Sequence, residues 1–425
     1  MATSQLSEEL ISAKQAGRGH LVERSWSPQL AGLGGRKARQ GLSYEAYIPS
    51  LIAEQDPLIS TEIAAAQGNA EVAVRDLNET PPDLGNLETL ARQLLRAESV
   101  ASSRIEGLIL SHRRLAKAAF EPGHDVTAES VLRNIAALDR AVALATDTDE
   151  LRTEHVVEVH RELFTGTRDE HLAGLIRTEQ NWIGGDASSP RNAEFVPPPH
   201  EYVPTLLDDL AEFLNREDMP AVIQAAIAHV QFETIHPFVD GNGRVGRALV
   251  LAVLKRRGLA PYYLPPVSLS LAGRADRYVA GLTSWRMNAE SNDWLLVFSD
   301  AVWSAATGAR DFAGSVADLQ KEWIRRAGEP RRDSAPLRLI ELLPSHPVIN
   351  VQIAAELLGV TNEAARLAVT RLEEAGVLNQ ITIGRRNRAW ETIGLFDLLD
   401  RFERDLGPAG RTPHPTHNRW EGLTM

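Results

Sequence analysis

The chain has 425 residues, 43% apolar and 24% charged, so two or three globular domains with sizeable cores are available without staples. A formal net charge of −12, from 45 basic and 57 acidic residues, excludes a global pull toward nucleic acid or an anionic membrane. The absence of cysteine excludes disulfides, thiolate metal sites and a cysteine nucleophile, and no run reaches the ~18 apolar residues of a membrane helix. The opening stretch MATSQLSEELISAKQ lacks the charged, apolar and small-residue order of a signal peptide, so a cytoplasmic protein with no membrane contact is expected.

Residues 1–43 are polar and rich in Gly, Arg and Ser, which predicts a flexible arm. From YEAYIPSLIAE onward the spacing predicts helices, an N-terminal helical region over 44–120. Within it, Leu87, Leu90, Leu94 and Leu95 recur three and four apart, and Gly107 is the expected stop. Residues 121–327 are expected as a helical core. The texture breaks once inside it, at QNWIGGDASSPRNAEFVPPP, where Trp182-Ile183 and Phe195-Val196 flank a turn. That predicts a β-hairpin ended by prolines. RRAGEPRRDSAP suggests a linker near 328–335. Residues 336–405 follow as two short helices, a longer helix and a hairpin, the order of a winged helix-turn-helix, and 406–425 read as an unstructured tail. The fold class is therefore mainly α.

The chemistry concentrates in HPFVDGNGRVGR, residues 236–247. The apolar helix before it delivers His236, and Pro237 blocks continuation because it has no N–H. Gly241, Asn242 and Gly243 form a tight loop into a new helix, whose first N–H groups have no partner and carry partial positive charge. Arg244 and Arg247, three apart, can serve one ligand from one face, and their planar forks suit phosphate oxygens. Asp240 suffices for Mg²⁺, which takes one or two protein carboxylates and completes its shell with phosphate and water. His236 titrates near neutrality and sits where a hydroxyl proton could be accepted. The residues alone leave a phosphate site and an ordinary structural turn both open.

This stretch resembles the signature of the Fic (filamentation induced by cyclic AMP) family, His-x-Phe-x-(Asp/Glu)-Gly-Asn-(Gly/Lys)-Arg-x-x-Arg, with every position met. The resemblance covers about residues 44–300. It implies an α-helical core that transfers AMP from ATP to a Ser, Thr or Tyr hydroxyl of a target protein, releasing pyrophosphate. On that basis His236 is the general base, and Asp240 holds the Mg²⁺ bridging the α and β phosphates. Gly241, Asn242 and Gly243 line the anion loop with Asn242 on phosphate, while Arg244 and Arg247 hold the outer phosphates. Asp240 with Gly243, rather than Lys, favours AMP transfer over phosphotransfer.

Two further matches belong to the same resemblance. SSRIEG, Ser102 to Gly107, is similar to the family's inhibitory motif, in which Glu106 pairs with Arg247 and blocks the γ-phosphate. The hairpin Trp182, Ile183, Gly184, Gly185 looks like the flap that pins the target's modifiable segment. One departure stands out: LAGRADRYVAGL (271–282) resembles the adenine-pocket segment, but Gly273 occupies a place where relatives often carry Asn.

The winged-helix segment offers Asn362, Arg366, Arg371, Arg385, Arg386 and Arg388, yet residues 336–395 hold six arginines and six glutamates, so DNA is not favoured as partner. Self-modification and homodimerisation are left open. Removal of AMP with the same site and a nucleotide-sensing DNA-binding regulator are the alternatives carried forward.

Overall fold

The computed structural model describes residues 18–27, 41–81, 87–120, 123–186, 188–288, 292–383 and 387–406. Its first elements correct the sequence reading. Part of the expected arm and the start of the expected helical region form an antiparallel ribbon, β1 (Gly19–Trp26) and β2 (Leu42–Pro49), in register from Gly19↔Pro49 to Trp26↔Leu42. The physical reason is legible in retrospect. Tyr44, Ala46 and Ile48 alternate with Glu45 and Tyr47, the period of a strand, and Pro49 and Pro57 forbid a helix through this stretch. The rest of the expected arm lies outside the described residues, as does the tail from 407.

Helix begins at α1 (Thr61–Glu79), where the Ser60 side chain accepts from the N–H of Ile63 as an N-cap. There follow α2 (Leu87–Ile105), α3 (His112–Ala118), α4 (Val126–Asp147), α5 (Thr153–Phe164) and α6 (Val203–Leu214). The centre of the molecule is α7 (Ala221–Ile235), every residue of which is buried. Its sequence, AVIQAAIAHVQFETI, is apolar nearly all round, which is what a helix surrounded by others requires. α8 (Asn242–Arg256) packs against it and is buried as far as Leu254. α9 (Val267–Gly273), α10 (Ala275–Met287) and the 34-residue α11 (Asp293–Arg326) complete this part.

The C-terminal segment forms α12 (Ala335–Leu342), β3 (Val348–Ile349), α13 (Val351–Leu358), α14 (Asn362–Glu374), β4 (Leu378–Ile383), β5 (Asn387–Thr392) and α15 (Leu395–Leu406), with sheet order β3-β5-β4. It does not stand apart. Leu90, Leu94, Ala97 and Ala101 of α2 share one buried cluster with Leu339, Val348, Phe396 and Leu399. Arg104, at the end of α2, donates to Glu403 of α15 at 2.7 Å, and His112 meets the same carboxylate at 2.8 Å.

Candidate functional site

α7 ends at His236, which takes a left-handed conformation (φ 50°, ψ 60°) that few residues other than Gly, Asn or Asp adopt. The surroundings hold it there. Arg177, 4% exposed, donates from Nε to the His236 carbonyl (2.9 Å) and from Nη2 to the Pro198 carbonyl (2.6 Å), and its N–H bonds the Pro237 carbonyl (2.9 Å). Asn181 Nδ2 donates to the carbonyls of His236 (3.3 Å) and Phe238 (3.1 Å). These two side chains satisfy carbonyls that a helix C-terminus leaves unpaired. They also tie the turn to both ends of the hairpin.

Phe238 is fully buried, stacked on the His160 ring with centroids 3.7 Å apart and 10° between planes. His160 Nδ1 accepts from the N–H of Gly174, so its Nε2 donates to the Asp240 carbonyl at 3.1 Å. Burial pushes the His160 pKa down to about 4, so the ring is neutral and that tautomer is fixed. Gly241 (φ 81°) caps α8, and a Cβ there would lie 2.8 Å from the Phe164 ring. Only glycine fits both the conformation and the space.

Asn242 differs from what the resemblance assigns it. Its Oδ1 accepts from the N–H of Phe238 (2.9 Å) and its Nδ2 donates to the carbonyl of Phe238 (2.8 Å), so the side chain closes the loop from within. What remains for an anion here is main chain: the first-turn N–H groups of Asn242, Gly243 and Arg244 at the positive end of α8. Asp240 keeps its side chain 43% exposed, with Oδ1 accepting from Gly241 N–H (2.6 Å) and Oδ2 3.5 Å from Arg244 Nη2. Arg244 also donates to Ser130 Oγ (3.1 Å) and lies over the Phe164 ring at 5.4 Å.

Arg247 is 2% exposed and engaged through Nε and Nη2 by α2 and its end. Nε donates to Ser102 Oγ (2.9 Å), and Nη2 donates to the Ser102 carbonyl (2.9 Å) and to Glu106 Oε1 (2.7 Å). Burial opposes the charge on Arg247, but Glu106, Tyr278 and Glu233 outweigh it and raise its pKa. Gly107 (φ 82°) turns the chain immediately after Glu106. Gly243 belongs to the same arrangement: a Cβ on it would collide with Glu106 Oε1 and stand 2.7 Å from Arg247 Nη1. A side chain at 243 and this placement of Glu106 exclude one another.

α2 is itself anchored by a buried acid. Glu98, 2% exposed, accepts from the Ser268 N–H at 2.8 Å and from the Ser268 hydroxyl. Burial pushes its pKa up to about 7, against the pull of Ser268 and Arg247. The folded pKa lies above the ordinary value, so the folded state binds this proton more tightly, and the contribution to stability is lost as pH rises from about 4.5 through 7. Glu98→Gln should remove that loss. The denaturant midpoint of the variant, relative to the native chain, is expected to shift in the variant's favour between pH 5 and pH 8, read by circular dichroism.

Among the described residues the hairpin makes one bridge, Ile183↔Phe195, with Ile183 N–H donating to Phe195 O (2.8 Å) and Glu194 N–H to Ile183 O (2.8 Å). Gly184 and Gly185 both have positive φ (72° and 75°), and Trp182 Nε1 turns back to the Asp186 carbonyl at 2.8 Å. Gly273 is buried at the end of α9, five residues before Tyr278, which is buried beside Arg247 and within 2.8 Å of His229. Among the described residues, no group of three or more His, Cys, Asp or Glu is placed to hold a metal by itself. A magnesium ion here would therefore rely on Asp240 plus phosphate oxygens and water, which fits its ordinary demands.

Residues 150–254 match the Fic/DOC family and residues 64–143 the N-terminal region of Fic/DOC proteins. These two stretches are Fic/DOC-family sequence. The chain is 35% identical over 140 residues to the protein adenylyltransferase fic-1 of Caenorhabditis elegans, a match spanning 32% of this chain and 25% of that protein. It is 30% identical over 176 residues to the probable protein adenylyltransferase aq_aa38 of Aquifex aeolicus, covering 41% of this chain and 52% of that one. The match thus spans a quarter to about half the length of these relatives. A crystal structure of a Fic family protein from Desulfovibrio desulfuricans G20 superposes over 80% of this chain and 98% of its own, at a TM-score of 0.50 and 21% identity, so the likeness there is one of fold. Among the described residues, no helix is long and apolar enough to cross a membrane.

Arg177, Asn181, His160, Ser130, Glu98 and Glu233 were not found from the sequence. All but Glu233 act through a partner distant in the chain, and only the NWIGG context next to Asn181 hinted at one of them.

Proposed function

We propose that this chain transfers AMP from ATP to a hydroxyl side chain of a target protein, and that Glu106 holds it inactive. The observation that carries the reading is the seat of Arg247. The guanidinium that faces the helix N-terminus, and so a terminal phosphate, is held instead by Glu106 at 2.7 Å. On this reading ATP lies with its phosphates along the loop, the α8 N–H groups and Arg244 binding them. Mg²⁺ on Asp240, when bound, neutralises phosphate charge. The target oxygen attacks the α-phosphorus, its proton passes to the His236 imidazole, the α–β bridging P–O bond breaks and pyrophosphate leaves. The hairpin at Trp182–Gly185 is the proposed dock for the target's extended segment, since an open strand edge accepts peptide with little sequence demand.

Support also comes from the relatives, which carry the name protein adenylyltransferase. The test uses Glu106→Gly protein, Mg²⁺ and ATP labelled on either the α or the γ phosphorus, with a cell lysate as target source. Protein-bound radioactivity from the α label alone is expected. Label from the γ position would assign phosphoryl transfer and defeat the proposal.

Removal of AMP by the same site is the second reading. Glu106 keeps 23% of its side chain exposed, so it can reach a water. Release of AMP from a modified target, lost in Glu106→Gly, would favour it. A DNA-binding role for the C-terminal segment gains little. Arg366 is paired with Glu363 at 2.6 Å and Arg371 donates to the Ala327 carbonyl at 3.0 Å, while Arg385 and Arg386 lie outside the described residues.

A further inference from the structure

One buried acid at the site has no part in the reaction as drawn. Glu233, 7% exposed, lies one turn before His236 on α7, with Oε2 3.9 Å from His236 Nδ1. Its Oε1 and the His236 Nδ1 are both buried without a hydrogen-bond partner. Gly246 makes the space, since a Cβ there would stand 3.0 Å from Glu233 Oε1. A buried carboxyl oxygen and a buried ring nitrogen left unpaired within one site are costly, and such groups call for an explanation.

We propose that Glu233 is a positioning residue for the proton-accepting histidine: its carboxylate closes on Nδ1–H when the site engages substrate and compensates the imidazolium that forms. This rests on the reading of His236 as general base. The need follows from the environment of the ring. Burial, with Arg177 and Arg286 nearby, pushes the His236 pKa down to about 3, partly countered by the main-chain carbonyl of Glu233. Such a ring is neutral but a feeble base. The carbonyl can fix the tautomer; only a carboxylate can supply a full opposing charge as the proton arrives. In the resting molecule burial pushes Glu233 up to about 7, with Arg247 and Arg286 pulling it down and Glu106 adding to the rise. Removing Glu106 therefore lowers the Glu233 pKa and favours the ionised form the step requires.

The geometry separates charge from shape. Glu233→Gln keeps the backbone carbonyl, the volume and an acceptor oxygen, and removes only the charge. In a Glu106→Gly background, kcat for transfer from α-labelled ATP should fall about tenfold or more, with the KM for ATP within about twofold. The fall in rate on acidification, displaced to below pH 7 by the loss of Glu106, should disappear with the carboxylate. Glu233→Asp should retain that acid limb at a reduced rate. A second readout needs no turnover: carbethoxylation of His236 by diethyl pyrocarbonate, followed by peptide mapping, should be several-fold slower in Glu233→Gln. An unchanged kcat with the acid limb intact, a loss confined to KM, or an unchanged carbethoxylation rate would each overturn the proposal. If the Glu106→Gly parent transfers no label at all, AMP transfer fails, while the carbethoxylation rates still decide the role of Glu233.

Discussion

Glu106→Gly is expected to raise AMP transfer from ATP to protein by about 5- to 150-fold, the range of a coupling of 1–3 kcal/mol. The native contact is a charge-assisted hydrogen bond at 2.7 Å to a guanidinium that is 2% exposed, and Ser102 supplies its other two acceptors. Replacing the carboxylate with hydrogen frees one edge of the Arg247 fork and leaves Ser102 to hold the other. It also clears the space above Gly243, where Glu106 Oε1 now sits. The fork then offers its open edge to a terminal phosphate, the bidentate geometry arginine is suited to. A time course of incorporated α label, native against variant at equal protein, checks the rise. ATP affinity that improves without any rise in transfer would separate binding from inhibition and remove Glu106 from the regulatory role.

His236→Ala in that released background should lower transfer by about 10²- to 10⁴-fold, the usual worth of a positioned general base. The ring stays neutral through the physiological range because burial dominates its titration. Its left-handed backbone is held by Arg177 and Asn181 rather than by its own side chain, so truncation removes the imidazole and leaves the turn standing. ATP binding by the double variant should match the Glu106→Gly parent, measured by calorimetry. A loss of binding in parallel with activity would make His236 a structural residue.

The core of this site was legible because its parts are contiguous. A mostly apolar helix, a proline, a glycine-softened bend and a helix bearing two arginines three apart lie within 27 residues, from Ala221 to Arg247, and the structure builds α7, the loop and α8 from them. Ser102 and Glu106 come from 141 residues or more away in sequence from Arg247, and only a resemblance could connect them. The β1–β2 ribbon was missed because the alternation is short and confined to β2, while its partner β1 carries Glu23 and Arg24, opposite Glu45 and Tyr44, within a polar stretch. The hairpin was read as two strands but makes a single bridge among the described residues, where two successive glycines of positive φ follow Ile183. Asn242 shows the limit of motif reading. Its residue type suits phosphate, yet its side chain is spent on the N–H and carbonyl of Phe238 in the tight turn.

The junction between the C-terminal segment and α2 follows the same logic. From sequence, RRAGEPRRDSAP separates two units. In the fold, Glu403 of α15 grips Arg104 and His112, and Gln93 donates to the Pro344 carbonyl, so α2, which ends just before Glu106, is held at two points by the C-terminal segment. The apolar faces of amphipathic helices announce burial but not the partner they bury against.

The most direct measurement is a crystal structure of Glu106→Gly protein with Mg²⁺ and a non-hydrolysable ATP analogue. The account predicts the terminal phosphate on Arg247, the α-phosphate over the α8 N-terminus with His236 facing it, and the metal on Asp240. A nucleotide bound elsewhere, or phosphates in the loop with His236 turned from the α-phosphorus, would contradict it.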